Sequence, residues 1–499
     1  MIWFSEWLPD TPDLGGDSTV IKNVIAGAII DSKTGATSYK KFLSFSNTIT
    51  ALAERVQGAI AVKADGGGAY IYAGTASSLR ELGPGASAFT DRSGSTYTCA
   101  ADQRWSFARY GSRVYAGHIG DDTQYTTIGG GSNFAQLSSA APRCRHMAVF
   151  GLFLMVGNTW DSSDGYKPNR LWWPAIDNPA SWPTVGSDAA AQVQSDYQDL
   201  PDGGAITGLV GGESGGYVVT ETKIYRATYP TSTVFDFTPV EQHRGSRFPG
   251  SVIGDGRLVF YLGDDGFYMF DGAQSIPIGT QKIDRWFLAD LDAIHIPRIC
   301  AAIDPVNKLV MWAYPGSGNS LGNPSKIIIY NWAIGRWSYV QTDLEYLLSG
   351  LSLGYTLDSL DSLGYTLDTL PYSLDSYVWQ GGEPKLIGFD TSHRMGFFTG
   401  SAMAATLTTG ETQLSEGQRS LVTSVRPLVS DVGTTITVTP ITRNRLIDSV
   451  TTGTASTINA VGECPMLSEG RYHRFQMDIT GGFTHALGLD PSFTGSGNA

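Results

Sequence analysis

Short runs rich in β-branched and aromatic residues, each broken off by glycine or aspartate, recur through the middle of this chain, at 69–73, 113–116, 152–156, 216–220, 223–226, 257–262, 267–270, 308–314, 326–330 and 336–340. Runs this short cannot present the face of an amphipathic helix, so their apolar side chains must be covered by strand pairing and sheet stacking. The clearest unit is 257–270, where Gly263-Asp264-Asp265-Gly266 separates two apolar runs and aspartate beside glycine favours a tight reversal. Four-stranded blades recur about every 40–50 residues, which predicts an all-β chain with a β-propeller of about six to eight blades across 46–400. A series of β-sandwiches is the competing architecture, since the units share little sequence.

At 499 residues the chain exceeds what one core serves, and its 60 glycines supply the positive φ angles that many tight turns need. Two flanking regions differ from the middle. Residues 1–45 join an aromatic-proline opening to an apolar stretch at 20–30, read as an arm whose strand completes a sheet begun elsewhere. Alternating runs at 421–429, 435–439 and 471–479 make 401–499 a C-terminal β-sandwich-like domain, the natural host for that arm. In the last run His473, Phe475, Met477 and Ile479 share one face, and Tyr472, Arg474, Gln476 and Asp478 the other. His473 therefore reads as an edge-of-core histidine with satisfied hydrogen bonds, and Gly481-Gly482 as a reversal towards His485.

A formal net charge of −13 and a pI near 5.0 argue against a surface that grips nucleic acid, because phosphate neutralisation needs clustered Lys and Arg. The densest basic groups, Arg104, Arg109 and Arg113, then Arg143 and Arg145, read as solvated or ion-paired strand faces. Acidity is compatible with a conduit for DNA, since each phosphate contact adds affinity and friction. Cys99, Cys144, Cys300 and Cys464 lack the paired spacing of a zinc site or disulfide framework, so reduced structural thiols are expected. The opening residues lack the basic region and cleavage site of a secretory signal, which fits folding in a cytoplasm. The strongest apolar run, 147–156, is too short for a membrane helix and reads as a buried strand, so no integral membrane segment is expected.

Residues 169–183 set Trp172, Trp173 and Trp182 among Pro174, Pro179 and Pro183, where a short strand ends at Pro174 and Asp177-Asn178-Pro179 re-aims the chain. This stretch reads as an aromatic corner sealing a β-layer. The rival is a glycan-binding or glycan-hydrolysing β-propeller, with the three indoles stacking sugars and Asp161, Asp164 and Asp177 as acid and base. Those aspartates fit turn chemistry equally well. No nucleophile elbow, phosphate loop, zinc helix or calcium loop occurs, so neither catalysis nor a metal or other cofactor is expected. An extracellular adhesion module is a third class, against which the missing signal segment weighs.

Residues 352–358 and 362–368 are both Ser-Leu-Gly-Tyr-Thr-Leu-Asp, repeated at period ten. On a helix equivalent positions would sit about 80° apart, whereas a strand puts Leu353, Tyr355 and Leu357 on the same face as Leu363, Tyr365 and Leu367. Extended or turn structure is therefore expected across the Leu-Asp-rich insertion, 350–378. Around a ring of subunits these six residues are candidates for a channel or gate loop.

Four segments taken in order resemble the tail nozzle proteins of short-tailed bacteriophages, also called tail tubular or packaged-DNA stabilisation proteins. They are Trp7-Leu8-Pro9-Asp10-Thr11-Pro12-Asp13, the aromatic-proline stretch at 169–183, the Leu-Asp tract at 351–376, and the C-terminal runs 419–431 and 471–490. The resemblance implies a structural virion protein made in the host cytoplasm and carried in the virion tail. It implies a homohexameric ring that extends and gates the DNA ejection channel and helps retain packaged DNA. It also implies a C-terminal domain docked on a tail adaptor protein, tail fibre or spike proteins attached nearby, and DNA crossing the lumen without sequence-specific binding. Carried over to this chain, Arg426, Pro427, Arg471, Tyr472 and Arg474 become candidates for subunit or adaptor contact.

Overall fold

Each apolar run pairs with its neighbour across the turn that ends it, and four such strands make one sheet. In the computed structural model, which describes all residues except 13–16, 31–36, 231–233, 320, 356–372, 374–375, 377–378, 380, 432 and 498–499, this pattern occurs seven times. Blades one to five begin at Gly58–Lys63, Ser106–Tyr110, Arg143–Phe150, Ile206–Gly212 and Ile253–Asp255, and each runs through four consecutive strands. Blade six is Cys300–Asp304, Leu309–Tyr314, Lys326–Asn331 and Arg336–Gln341, inside a larger ten-stranded sheet. Blade seven is Tyr346–Leu351, Pro384–Phe389 and Met395–Phe397, and Ser46–Asn47 from ahead of blade one supplies its outermost strand.

The first strands of successive blades adjoin one another, and that of blade seven adjoins that of blade one, so the ring closes. Seven hydrophobic clusters fill the seven gaps: Leu348, Ile387 and Phe389 of blade seven meet Ile71 and Leu82 of blade one, and so on around. The chain is thus all-β with a β-propeller of seven blades, each sheet twisted so that its flat faces cover one another. Two short α-helices, Asp188–Val193 and Asp284–Asp290, interrupt the strands.

Two sequence expectations are corrected here. The apolar run 147–156 is a hairpin rather than one buried strand: Arg143–Phe150 returns as Phe153–Asp161 around Gly151, whose φ of 57° suits glycine. The stretch 20–30 is likewise two strands. Val20–Lys22 runs antiparallel to Ala405–Thr408 and bridges in parallel to Arg336–Gln341, joining blade six to a C-terminal sheet of Ala405–Thr408, Tyr472–Thr480 and Thr435–Arg443. Val24–Ile30 joins the opposite sheet, with Thr37–Lys41, Phe483–Gly497, Arg419–Asp431 and Cys464–Gly470; Ile2–Trp3 pairs with Phe483–Gly497.

The change of sheet happens at Asn23, which adopts φ 60°. Asparagine tolerates this left-handed conformation better than most residues. Its amide donates to Ala404 O (2.8 Å) while its Oδ1 accepts from Gln341 N (3.0 Å), and its own N–H donates to Tyr339 O (2.8 Å). Gly481-Gly482 makes the second crossing: it reverses the chain, as expected, but delivers it from Tyr472–Thr480 in one sheet to Phe483–Gly497 in the other.

Candidate functional site

The surface that joins the C-terminal sheets to the propeller is built from the arm. Trp7, 1% exposed, packs edge-on against Trp286 and tilted over Tyr339, both ring centroids 5.0 Å away. Glu6 receives Lys282 of the linker after blade five (2.6 Å) and Arg336 of blade six (2.7 Å). Asp10 accepts from the backbone N–H groups of Arg285 and Trp286 (2.8 Å each), so an arm carboxylate caps the helix Asp284–Asp290 and meets the positive end of its dipole. One hydrophobic cluster runs from Phe267, Trp312 and Trp337 of the propeller through Phe4 and Trp7 to Val438, Phe475 and Met477 of the C-terminal sheets. Removing an indole from such a core costs about 3–5 kcal/mol. The C-terminal sheets thus form a platform held to the propeller by a shared sheet, a shared core and half-buried ion pairs.

The platform's own faces carry the residues singled out from sequence. His473, Phe475, Met477 and Ile479 are fully buried and the alternate residues are half-buried. His473 Nε2 lies 2.8 Å from Ser420 Oγ and 2.9 Å from Gly470 O, and burial holds its pKa below the ordinary histidine value. Arg471 lies over the Tyr472 ring (5.9 Å), and Arg474 stands opposite Ile441. Arg426 is exposed and pairs with Glu463 (2.8 Å). Pro427 follows the last pair, Val425 with Cys464, that Arg419–Asp431 makes along one edge, where its missing N–H leaves no ladder bond unmade. Val422 and Val425 point into the same core as Phe475 and Met477, so Arg426 and Arg474 occupy opposite outer faces. The structure does not bring the five candidates into one patch.

Sequence reading missed the apolar side chains on this platform. Leu446, Ile447, Val450, Val461, Leu467 and Phe493 are exposed, Ile447 and Leu467 by 88% and 83%. That is six of the thirteen exposed large apolar residues among those described, in roughly a fifth of the chain. Most lie in loops or at strand ends, where no periodic pattern marks them. An open groove of about 620 Å³ runs beside Leu467, between Pro440, Pro465 and Met466.

Of the proposed gate residues, Leu353 packs on the core between blades seven and one, and Tyr355 is 43% exposed with its ring 6.1 Å from Trp379. Leu357, Leu363, Tyr365 and Leu367 lie outside the described residues.

The residues of the glycan reading are engaged structurally. Trp173 and Trp182 are 3% and 6% exposed, in the cores on either side of blade three, and Trp172 meets Trp182 and Tyr197 edge-on. Asp161 and Asp164 surround Arg170, which is 3% exposed, at 3.7 and 2.6 Å, and Asp199 holds it through two further contacts (2.6 and 3.0 Å). These partners hold the guanidinium pKa above its usual range, first through the Asp199 hydrogen bonds. Asp177 accepts from the Tyr110 hydroxyl (2.6 Å). All four cysteines are buried and free. Among the described residues no three His, Cys, Asp or Glu side chains gather to hold a metal ion, and no helix is long and apolar enough to cross a membrane.

The basic groups divide. Arg109 pairs with Asp65 (3.0 Å), Arg143 with Asp122 (2.9 Å), and Arg113 lies over Tyr125. Arg104 and Arg145 converge on the propeller axis. Arg145 is exposed, in keeping with its reading as solvated, whereas half-buried Arg104 is neither ion-paired among the described residues nor on an outer face and donates to Ile299 O.

No protein-family model matches the chain, and no curated protein matches it. Among solved structures it is similar to the computationally designed Ika8 protein, at 9% identity over 77% of this chain and 97% of that one, TM-score 0.37. A chain of the Mitotic Checkpoint Complex gives 8% identity over 66% and 85%, TM-score 0.37. BamB from Moraxella catarrhalis gives 11% identity over 73% and 96%, TM-score 0.36. At these values the fold is assigned from the strand pairing itself.

Proposed function

We propose that this chain is a structural, ring-forming subunit of a short-tailed phage tail nozzle, which extends the DNA ejection channel and helps retain packaged DNA. The observation that carries the reading is the platform: rigidly joined to the propeller through Val20–Lys22, it exposes apolar side chains that no part of the described chain covers. A closed ring of identical subunits needs two different patches on each, and a sandwich with two unlike outer faces supplies them. Exposed apolar side chains gathered in one domain are consistent with a surface that a partner covers. Sequence resemblance supplies the remaining elements: six subunits, a tail adaptor on the platform side, fibres or spikes nearby, and DNA passing without specific contacts.

The test is the protein mixed with a short-tailed phage tail adaptor ring, imaged by electron microscopy. The doubly substituted Ile447→Asp, Leu467→Asp protein should fold with an unchanged melting temperature and fail to form the ring. A ring that assembles normally from that variant would count against the platform as the contact surface. Gating is assigned to the insertion; particles whose protein lacks 357–371 yet assemble and keep their DNA would remove that role.

A further inference from the structure

The first strands of the seven blades surround a central hollow. One part, about 370 Å³, is lined by Arg104, Arg145, His146, Tyr166 and Arg247; an adjoining part, about 230 Å³, shares the first three and adds Tyr346. Arg104 enters just ahead of Ser106–Tyr110 and Arg145 from within Arg143–Phe150, so strands of neighbouring blades aim two guanidinium groups into one space. Arg104 donates to Ile299 O and lies 3.4 Å from the Tyr346 hydroxyl, with that ring 5.4 Å below it. Its guanidinium also passes over Gly250, where any Cβ would occupy its place. Arg145 lies 5.9 Å from the Tyr166 ring centroid.

Neither arginine has a carboxylate within ion-pair distance among the described residues, nor has Arg55 close by, whose charge is felt together with those of Arg104 and Arg298. Asp102 and Glu221 line the larger part, Asp102 facing Arg298 (3.7 Å), whereas the smaller part, shared by Arg104 and Arg145, is lined by no acid among the described residues. Glu345 takes His393 (2.7 Å) and Asp264 takes Arg247 (3.5 Å). Burial first, then Arg145 and Arg104, drive His146 down to about 3, so it stands neutral as a hydrogen-bonding wall. In a chain of net charge −13, two arginines without a carboxylate at ion-pair distance among the described residues face one concavity.

We infer that the propeller's axial hollow binds a small phosphate-bearing anion, held by the Arg104 and Arg145 guanidinium groups. Their planar forks pair with phosphate oxygens through two parallel hydrogen bonds, and parts of about 370 and 230 Å³ suit a small anion. The site is independent of ring formation and would stand if the nozzle reading failed.

Titration calorimetry on the full chain, with inorganic phosphate and pyrophosphate at constant ionic strength, tests it. Saturable binding by both is expected, with acetate and citrate silent. R145A should weaken pyrophosphate binding by about tenfold or more, the scale of one lost charge-assisted pair. R145A retains its fold because the side chain is exposed to the hollow, which its melting temperature checks. R445A, removing a distant arginine paired with Asp448, should bind as the parent does. No saturable heat up to about 10 mM, a limit near −3 kcal/mol, would overturn the site. Equal response to carboxylates would overturn the phosphate class, and unchanged affinity in R145A the assignment of residues.

Discussion

Among the contacts that join propeller and platform, Asn23 holds the point where the arm changes sheet, and replacing it exposes how much that residue contributes. Asn23→Ala removes two side-chain hydrogen bonds, to Ala404 O and from Gln341 N, each worth about 1 kcal/mol net. It also places a Cβ residue of poor left-handed tolerance at φ 60°, for about 1 kcal/mol more. The sum is about 3 kcal/mol, all at the junction. Asn23→Gly loses the same hydrogen bonds but tolerates the backbone, for about 2 kcal/mol. Global unfolding of a chain this large is a poor readout, since cooperativity across several units is not assured. Amide hydrogen exchange reports local opening directly. Protection of the Asn23 and Gln341 amides should fall about 30-fold in the glycine variant and more than 100-fold in the alanine variant, while Ala69–Gly74 in blade one stays unchanged. Equal protection in both variants and the parent, or an equal loss in blade one, would refute the junction as the local hinge of stability.

Two further outcomes follow from buried charge. Arg170→Met strips Asp161, Asp164 and Asp199 of their shared cation; with two of those carboxylates over 40% exposed, the loss should be about 2–3 kcal/mol in the local opening of Gly165–Trp173 read by amide exchange, and a change below about 0.5 would contradict the network's role. Asp284 is 6% exposed, and burial raises its pKa to about 6. A raised carboxyl stabilises the fold fully only below its unfolded value, and that contribution is lost as pH rises through 6. Asp284→Asn should therefore gain about 3 kcal/mol over the parent at pH 7.5, retaining the bond from Phe267 N, and the gain should vanish near pH 4. A gain independent of pH would contradict the ionisation as its cause.

The propeller was readable because its signals are local. Strands at 258–263 and 266–270 declare themselves by an apolar run, a two-residue turn and a second run, and glycine marks where each must reverse. The alternation at 472–480 likewise told which residues face the core. What the sequence hid was non-local. Nothing in 20–30 announces that Asn23 divides it between two sheets, because the signal is a backbone angle and two partners more than 300 residues away. The run 147–156 hid its turn because Gly151 sits among residues as apolar as the strands it separates. Arg104 and Arg145 looked like scattered surface charge, since only ring closure brings neighbouring blades onto one axis. The exposed side chains at 446–450 and 461–467 escaped notice for the opposite reason: an isolated apolar residue in a loop reads as core until the core is seen to be full.

Electron cryomicroscopy of the protein with a short-tailed phage tail adaptor would test the proposed role most directly. The expected image is a closed ring of six wedges around an open lumen, each platform seated on the adaptor and Leu467 and Ile447 buried between components. A population of single 53.5-kDa molecules, with platforms unoccupied in the adaptor's presence, would contradict it.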